Sequence, residues 1–179
     1  DGRIELWNLE EDQDIETMIS ELESDPSVAY VERDWEVSIN KEPNDPSFNL
    51  LWGLSNAGTG KALAGADISA PTGWDIQTGS RDIIVGVVDT GIDFRHPDLR
   101  DNMWINEGEI PNNNKDDDGN GYIDDRYGWD FHGDKKDGDD DHSHGTHCAG
   151  TIGAKGNNKV GVTGVAWNVR LMSLKFLSR

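Results

Sequence analysis

Residues 82–88 form a nearly unbroken β-branched run, Asp-Ile-Ile-Val-Gly-Val-Val. Such a run predicts a strand of a parallel sheet, buried on both faces. A second apolar run over 169–177 predicts another strand, and the aromatic stretch 126–131 a third. Between them, residues 144–152 combine small and apolar positions. They predict a buried helix in which Gly145, Ala149 and Gly150 allow close backbone packing. Residues 71–76 predict a short helix with a proline near its start. Nearer the N-terminus the periods change. Residues 3–9 alternate like a half-buried strand, and 12–23 place Ile15, Met18, Ile19 and Leu22 at helical spacing. Pro26 ends that helix, and 28–39 predict a further strand. A β-α-β unit of this size lacks room for a core of its own and is expected to lean on another surface. Residues 40–47, polar and turn-rich, read as a junction. The expected organisation is a small α+β segment over 1–40, then an α/β domain over 41–179 with a parallel sheet and helices on both faces. Residues 101–125 read as a long polar insertion, the kind of loop that is usually functional.

Charge sharpens this division. The 179 residues carry a formal net charge of −19. Residues 1–42 contribute −11 and residues 110–142 contribute −7, leaving the rest near neutral. The acidity therefore belongs to two segments. Nucleic acid is excluded as a partner by the lack of a basic face. One cysteine, Cys148, permits no intrachain disulfide, and no apolar run approaches the length of a membrane span. The chain begins at Asp1 and not Met, so an N-terminal part is expected to be missing.

The candidate chemistry sits where the pattern places it. Asp89 follows the first strand, and ligand sites of open α/β sheets lie outside the carboxyl ends of strands. His144 opens the helix in Asp-His-Ser-His-Gly-Thr-His-Cys-Ala-Gly. An imidazole is the usual general base, and it needs a carboxylate to hold its tautomer. Alone, His144 reads better as a satisfied core histidine; the Asp89 strand end and the order of the two motifs turn the reading to catalysis. A zinc site is the other rival, but no His-Glu-x-x-His pattern occurs. His96 and His147 read as structural, and His132 and His142 as solvated. Cys148 reads as a small buried residue beneath His144.

The motifs Asp89-Thr90-Gly91-Ile92-Asp93 and His144-Gly145-Thr146-His147-Cys148-Ala149-Gly150 resemble the Asp and His signatures of the subtilisin-like serine proteases, the subtilases. The resemblance implies a subtilisin-like sheet, with Asp89 orienting and His144 acting as base for a serine. A Gly-Thr-Ser-Met-Ala type nucleophile motif does not occur before Arg179, so the chain is expected to be the first part of an enzyme. Residues 25–32 resemble the end of a subtilase prosegment, which implies an intramolecular inhibitor over 1–40. Residues 44–48 and 51–54 resemble a mature N-terminus, and 96–99 are a further family phrase.

Residues 116–125 carry a separate signal, Asp-Asp-Asp-Gly-Asn-Gly-Tyr-Ile-Asp-Asp. Oxygen donors alternate at Asp116, Asp118 and Asn120, Gly121 permits a sharp turn, and Ile123 is expected to plug the core. This is calcium-loop spacing. The expected ligands are Asp116, Asp118, Asn120, the Tyr122 carbonyl, Asp124 and Asp125. Position 12 of the frame is Tyr127, so it is not a full EF-hand; a frame starting at Asn114 is the alternative. By the resemblance alone, a second Ca²⁺ is implied at Asp45, Asp98, Asn158 and the carbonyls of Val160 and Val162.

The reading is a secreted, calcium-stabilised serine endopeptidase acting on proteins or peptides. The alternative is a catalytically inactive calcium-binding module of the same family.

Overall fold

The computed structural model describes residues 5–7, 13–33, 41–136 and 138–179. The chain divides into two compact units, Asp1–Ile39 and Asn40–Arg179.

In the first unit, helix α1 spans Ile15–Glu23. Its start is set by Asp14, whose carboxylate accepts from the Thr17 amide at 2.9 Å and hydroxyl at 2.7 Å. None of its residues is fully buried. The strands expected around it are corrected: residues 5–7 and 28–33 form no ladder among the described residues. The other positions of those two strands lie outside the described residues. A single helix with no fully buried side chain supplies little apolar surface against which a ribbon could settle.

The second unit is built on a four-stranded sheet. Its strands are β1 (Ile84–Asp89), β2 (Gly128–Asp130), β3 (Lys135–Lys136) and β4 (Arg170–Lys175), in the order β1-β4-β2-β3. β4 runs parallel to both β1 and β2, and among the described residues only β3 is antiparallel. The register sets Asp89 beside Lys175 at the carboxyl ends. Helix α3 (His144–Gly153) lies against β1 and β4. Ala149 of α3 joins Val87, Leu171, Val169, Leu99, Ile92 and Met103 in the main core. Helix α2 (Ala70–Ile76) forms a second cluster, where Trp74 packs 5.0 Å from Trp167 and donates from its indole to the Val165 carbonyl.

Three expectations are revised here. Within these 179 residues one face of β1 is covered, with Val87 in the main core and Val85 packed against it, while Ile84 and Val88 on the other face are 43% and 61% exposed. The polar insertion begins later than expected. Asn102 and Met103 are core residues, Asn102 donating to the carbonyls of Gly153 and Trp167 and Met103 bridging to Leu171. Ile123 is half exposed and plugs nothing; Asp124, at φ 56°, takes the buried position beside it. The carboxylate of Asp124 accepts from the amides of Asn113 and Asn114 and from Lys136, which holds that turn inward.

Candidate active site

β1 ends at Asp89 and α3 begins at His144, and two glycines let these ends meet. Gly91 has φ 105°, a conformation side chains disfavour. A Cβ on Gly145 would run into the Gly91 carbonyl, so the helix could not sit this close with any larger residue. His144 Nδ1 lies 2.8 Å and 2.9 Å from the two oxygens of Asp89. Asp89 Oδ1 also accepts from the Thr90 amide at 2.7 Å. Burial alone would raise the Asp89 pKa, but the hydrogen bonds from His144 and Thr90 outweigh it and hold the carboxyl below its ordinary value. The Asp89 side chain is 14% exposed and that of His144 62%, so the carboxylate is sheltered while the ring stays accessible. With Nδ1 turned to Asp89, Nε2 is the nitrogen left to exchange protons with a substrate or nucleophile.

Cys148 lies one turn below, its Sγ 3.8 Å from His144 Nδ1. Asp89, His144 and Cys148 present ligand atoms within 4.8 Å of one another. Burial, then the charge of Asp89, pushes the Cys148 thiol up, which disfavours the thiolate needed for nucleophilic attack or soft-metal binding. His147 is exposed and lines a cavity of about 870 Å³ together with Trp52, Arg95, Thr146 and Thr151. Neither Asp89 nor His144 lines that cavity. His96 is exposed as well, its Nδ1 accepting from the Asp98 amide at 3.2 Å.

The acidic loop folds around a residue the sequence motif does not include. Glu109 is 4% exposed and accepts from the amides of Asp117 and Asp118 through one oxygen and of Asp124 through the other. Glu109, Asp118 and Asp125 bring carboxylate oxygens within 4.8 Å of one another. Asn106 and Asn120 donate to both Asp118 and Asp125. Burial raises the Asp125 pKa; the hydrogen bonds from Asn106 and Asn120 oppose this, and repulsion from Asp118 and Glu109 adds to it. Of the other expected ligands, Asp116 accepts from the amides of Gly119, Asn120 and Gly121 and so shapes the turn. Asn120 Oδ1 accepts from the Tyr122 amide, while the Tyr122 ring packs on Trp129. Glu109 and Asn106 stand outside the alternating Asp/Asn frame, which is why spacing alone passed over them.

The second implied group also assembles. Asp45 and Asp98 are 4% and 1% exposed, and no basic side chain pairs with either among the described residues. Asp45 accepts from the amides of Asn157 and Asn158, and Asp98 from the Asn158 side chain and the Val162 amide. Val160 donates its amide to Asn158 Oδ1, closing the same loop.

Comparison with known proteins gives a consistent answer. The model of the subtilase family matches residues 80–179. Subtilisin-like protease 1 of Plasmodium berghei (strain Anka) is 41% identical over 138 residues, which are 75% of this chain and 21% of that protein. Neuroendocrine convertase 2 of Homo sapiens is 31% identical over 144 residues, 80% of this chain and 20% of that protein. Among solved structures, a protease from Pseudoalteromonas arctica is similar with a TM-score of 0.50 and 32% identity, over 76% of this chain and 39% of that one. The Aeromonas sobria serine protease, solved with its chaperone ORF2, gives 0.51 and 25%, over 73% and 19%. The chain thus spans about a fifth of the length of these curated relatives. With its Asp and His motifs inside the region that the family model matches, and with relatives of 41% identity over three quarters of its length, the chain belongs to the subtilases.

Proposed function

We propose that this chain carries the Asp and His of the catalytic triad of a secreted serine endopeptidase. The observation that supports it most directly is the Asp89–His144 pair, joined at 2.8 Å at the carboxyl end of a parallel strand. Nδ1–H is held by Asp89, so Nε2 accepts the proton of a serine supplied from outside these 179 residues. That serine attacks the peptide carbonyl, and the imidazolium, stabilised by Asp89, returns the proton to the leaving amine. Substrates are peptides or proteins, and residues 1–40 act as the inhibitory prosegment. Secretion follows the same family reading; no helix among the described residues is long and apolar enough to cross a membrane.

Calcium belongs to the same proposal. Hard carboxylate oxygens converge at Glu109, Asp118 and Asp125, and two buried carboxylates, Asp45 and Asp98, pair with no basic side chain among the described residues. Both donor sets suit Ca²⁺. The first set would hold the ion with Asn120 and the Tyr122 carbonyl, while Asp116 and Asp124, whose oxygens accept from backbone amides, would shape the loop around it. The second would use Asn158 and the Val160 and Val162 carbonyls. Bound there, the ion neutralises clustered charge and stabilises the fold; proton transfer stays with His144 and Asp89.

The test is labelling of the full-length protein with a serine-directed fluorophosphonate alongside peptide hydrolysis. Stoichiometric labelling with loss of hydrolysis is expected. A folded full-length protein that neither cleaves nor labels would favour the inactive calcium-binding reading.

A further inference from the structure

Helix α3 starts without a cap of its own. Ser143 precedes it at φ 73° and its side chain makes no capping bond. Other segments satisfy the first-turn donors. The Gly145 amide donates to Thr90 Oγ1 at 2.9 Å. The Thr146 amide and hydroxyl donate to Asp140 Oδ2 at 2.9 Å and 2.6 Å. Asp140 Oδ1 accepts from the amides of His142 and Ser143 and, at 2.8 Å, from the Thr90 hydroxyl. Thr90 is also the residue whose amide holds Asp89. Its carbonyl accepts from Lys175, a buried ammonium that reaches the Asp139 carbonyl and the Asp141 carboxylate as well. Thr90 thus adjoins the orienting carboxylate and anchors the helix that carries the base.

We propose that Asp140 is a positioning residue for the Asp89–His144 pair, acting through the Thr90 hydroxyl to lock the first turn of α3 to the end of β1. The inference rests on the protease reading above. Burial works against the Asp140 charge, but its donors outweigh that and bring the pKa down to about 2, so the clamp is ionised across the neutral range. The other ionisable groups at this junction are Asp89 and Cys148 against His144, His142 beside it, Asp139 and Asp141 of the preceding loop, Lys175 at the end of β4, and Asp93 and Arg95, the Asp93 amide donating to the Thr146 hydroxyl.

A helix cap alone would support stability. A positioning clamp also controls the imidazole–carboxylate geometry, where a displacement of about 1 Å costs on the order of 100-fold in rate. The experiment uses the full-length protein with Asp140→Asn, Thr90→Val, Thr90→Ser and the Asp140→Asn/Thr90→Val double variant, each normalised by active-site titration. Asp140→Asn and Thr90→Val are each expected to lower kcat by about 10- to 100-fold, with KM within about twofold of the parent. Each should also move the acid limb of the kcat/KM profile to lower pH, because a loosened Asp89 stabilises imidazolium less. Thr90→Ser, which keeps the hydroxyl, should restore most of the rate. The double variant should lose less than the product of the two single losses. Unchanged kcat and an unchanged acid limb in correctly folded Asp140→Asn would overturn the proposal, leaving Asp140 a cap only; independent, multiplicative losses would overturn the route through Thr90. The NMR signal of the His144 Nδ1–H proton, held by Asp89, reads the coupling without catalysis. An inactive parent whose Nδ1–H signal is still shifted or lost in Asp140→Asn would sink the protease reading and leave the clamp standing, whereas an unmoved signal would sink the clamp.

Discussion

At the scale of single residues, the pair Asp89–His144 makes the clearest demand. In the full-length protein, His144→Ala is expected to lower kcat/KM by several orders of magnitude, because members of a triad act as a unit. Asp89→Asn should lower kcat by roughly ten-thousand-fold, since an amide favours the wrong imidazole tautomer. Steady-state hydrolysis at neutral pH checks both, and near-parental activity in either variant rules the pair out as the catalytic couple. Asp140 makes a different demand, on acid stability. Its folded pKa of about 2 lies below the unfolded value of about 3.9. A depressed folded pKa means that its contribution is complete above about pH 4 and is lost as the pH falls towards 2. Asp141 is likewise lowered to about 2, by hydrogen bonds from Lys175 and Ser178, but its exposure to solvent weakens the effect. Denaturant midpoints between about pH 5 and about pH 2.5 should therefore fall less steeply in Asp140→Asn than in the parent; parallel curves would contradict this.

At the scale of elements, the approach of α3 to β1 depends on a missing side chain. Gly145→Ala adds a Cβ that collides with the Gly91 carbonyl, and backbone cannot swing aside as a flexible side chain can. Forced overpacking of this kind costs about 1–3 kcal/mol. The expected outcome is a lowered Tm together with a loss of activity per folded molecule, since the same shift moves His144 from Asp89. An unchanged Tm would show that the helix has slack at this contact. The strands tell a complementary story. β1, β4 and β2 stop at one edge, and their register sets Asp89, Lys175 and Asp130 in a row there. Element type was readable from β-branched and small-residue runs. Which face of β1 these residues cover was not, because a run such as Ile-Ile-Val-Gly-Val-Val looks the same from either side.

At the scale of the whole molecule, two proposals concern how the full-length protein is held and processed. A ligand that binds only the folded state stabilises it by about 2.7 kcal/mol at 100 times its Kd. Chelation should accordingly lower the Tm of the full-length protein. Asp118→Ala should remove one bound calcium, and Glu109→Gln, aimed at the buried carboxylate of the same cluster, should do likewise while sparing the group at Asp45 and Asp98. Unaltered ion stoichiometry and affinity in both variants would reduce the loop to a self-hydrogen-bonded acidic turn. The boundary between the compact units, at residues 39 and 40, coincides with the composition break ahead of Asn44-Asp45-Pro46. The active enzyme is expected to begin between residues 39 and 45. N-terminal sequencing that placed its start before Tyr30, or within 51–54, would refute that.

The sequence by itself determined the family, the parallel strands and their chain order, the opening of α3 at His144, and the pairing of Asp89 with His144. The strands and the start of α3 are legible because close backbone contact and strand packing restrict residue type locally, leaving Gly, Ala and β-branched residues at fixed offsets; the family and the pairing of Asp89 with His144 were legible through the resemblance of their two motifs to the subtilases. Only the tertiary structure decided which carboxylates converge. Glu109 enters the acidic cluster from outside the repeating frame, Asp116 and Asp124 turn their oxygens to backbone amides, and Ile123 faces outward. The structure alone likewise decided that Asp140, one aspartate in an acidic run, joins the helix to the strand through Thr90. Like charges in a row are indistinguishable by composition; what separates them is which buried donor each can reach, and that is a property of the folded chain.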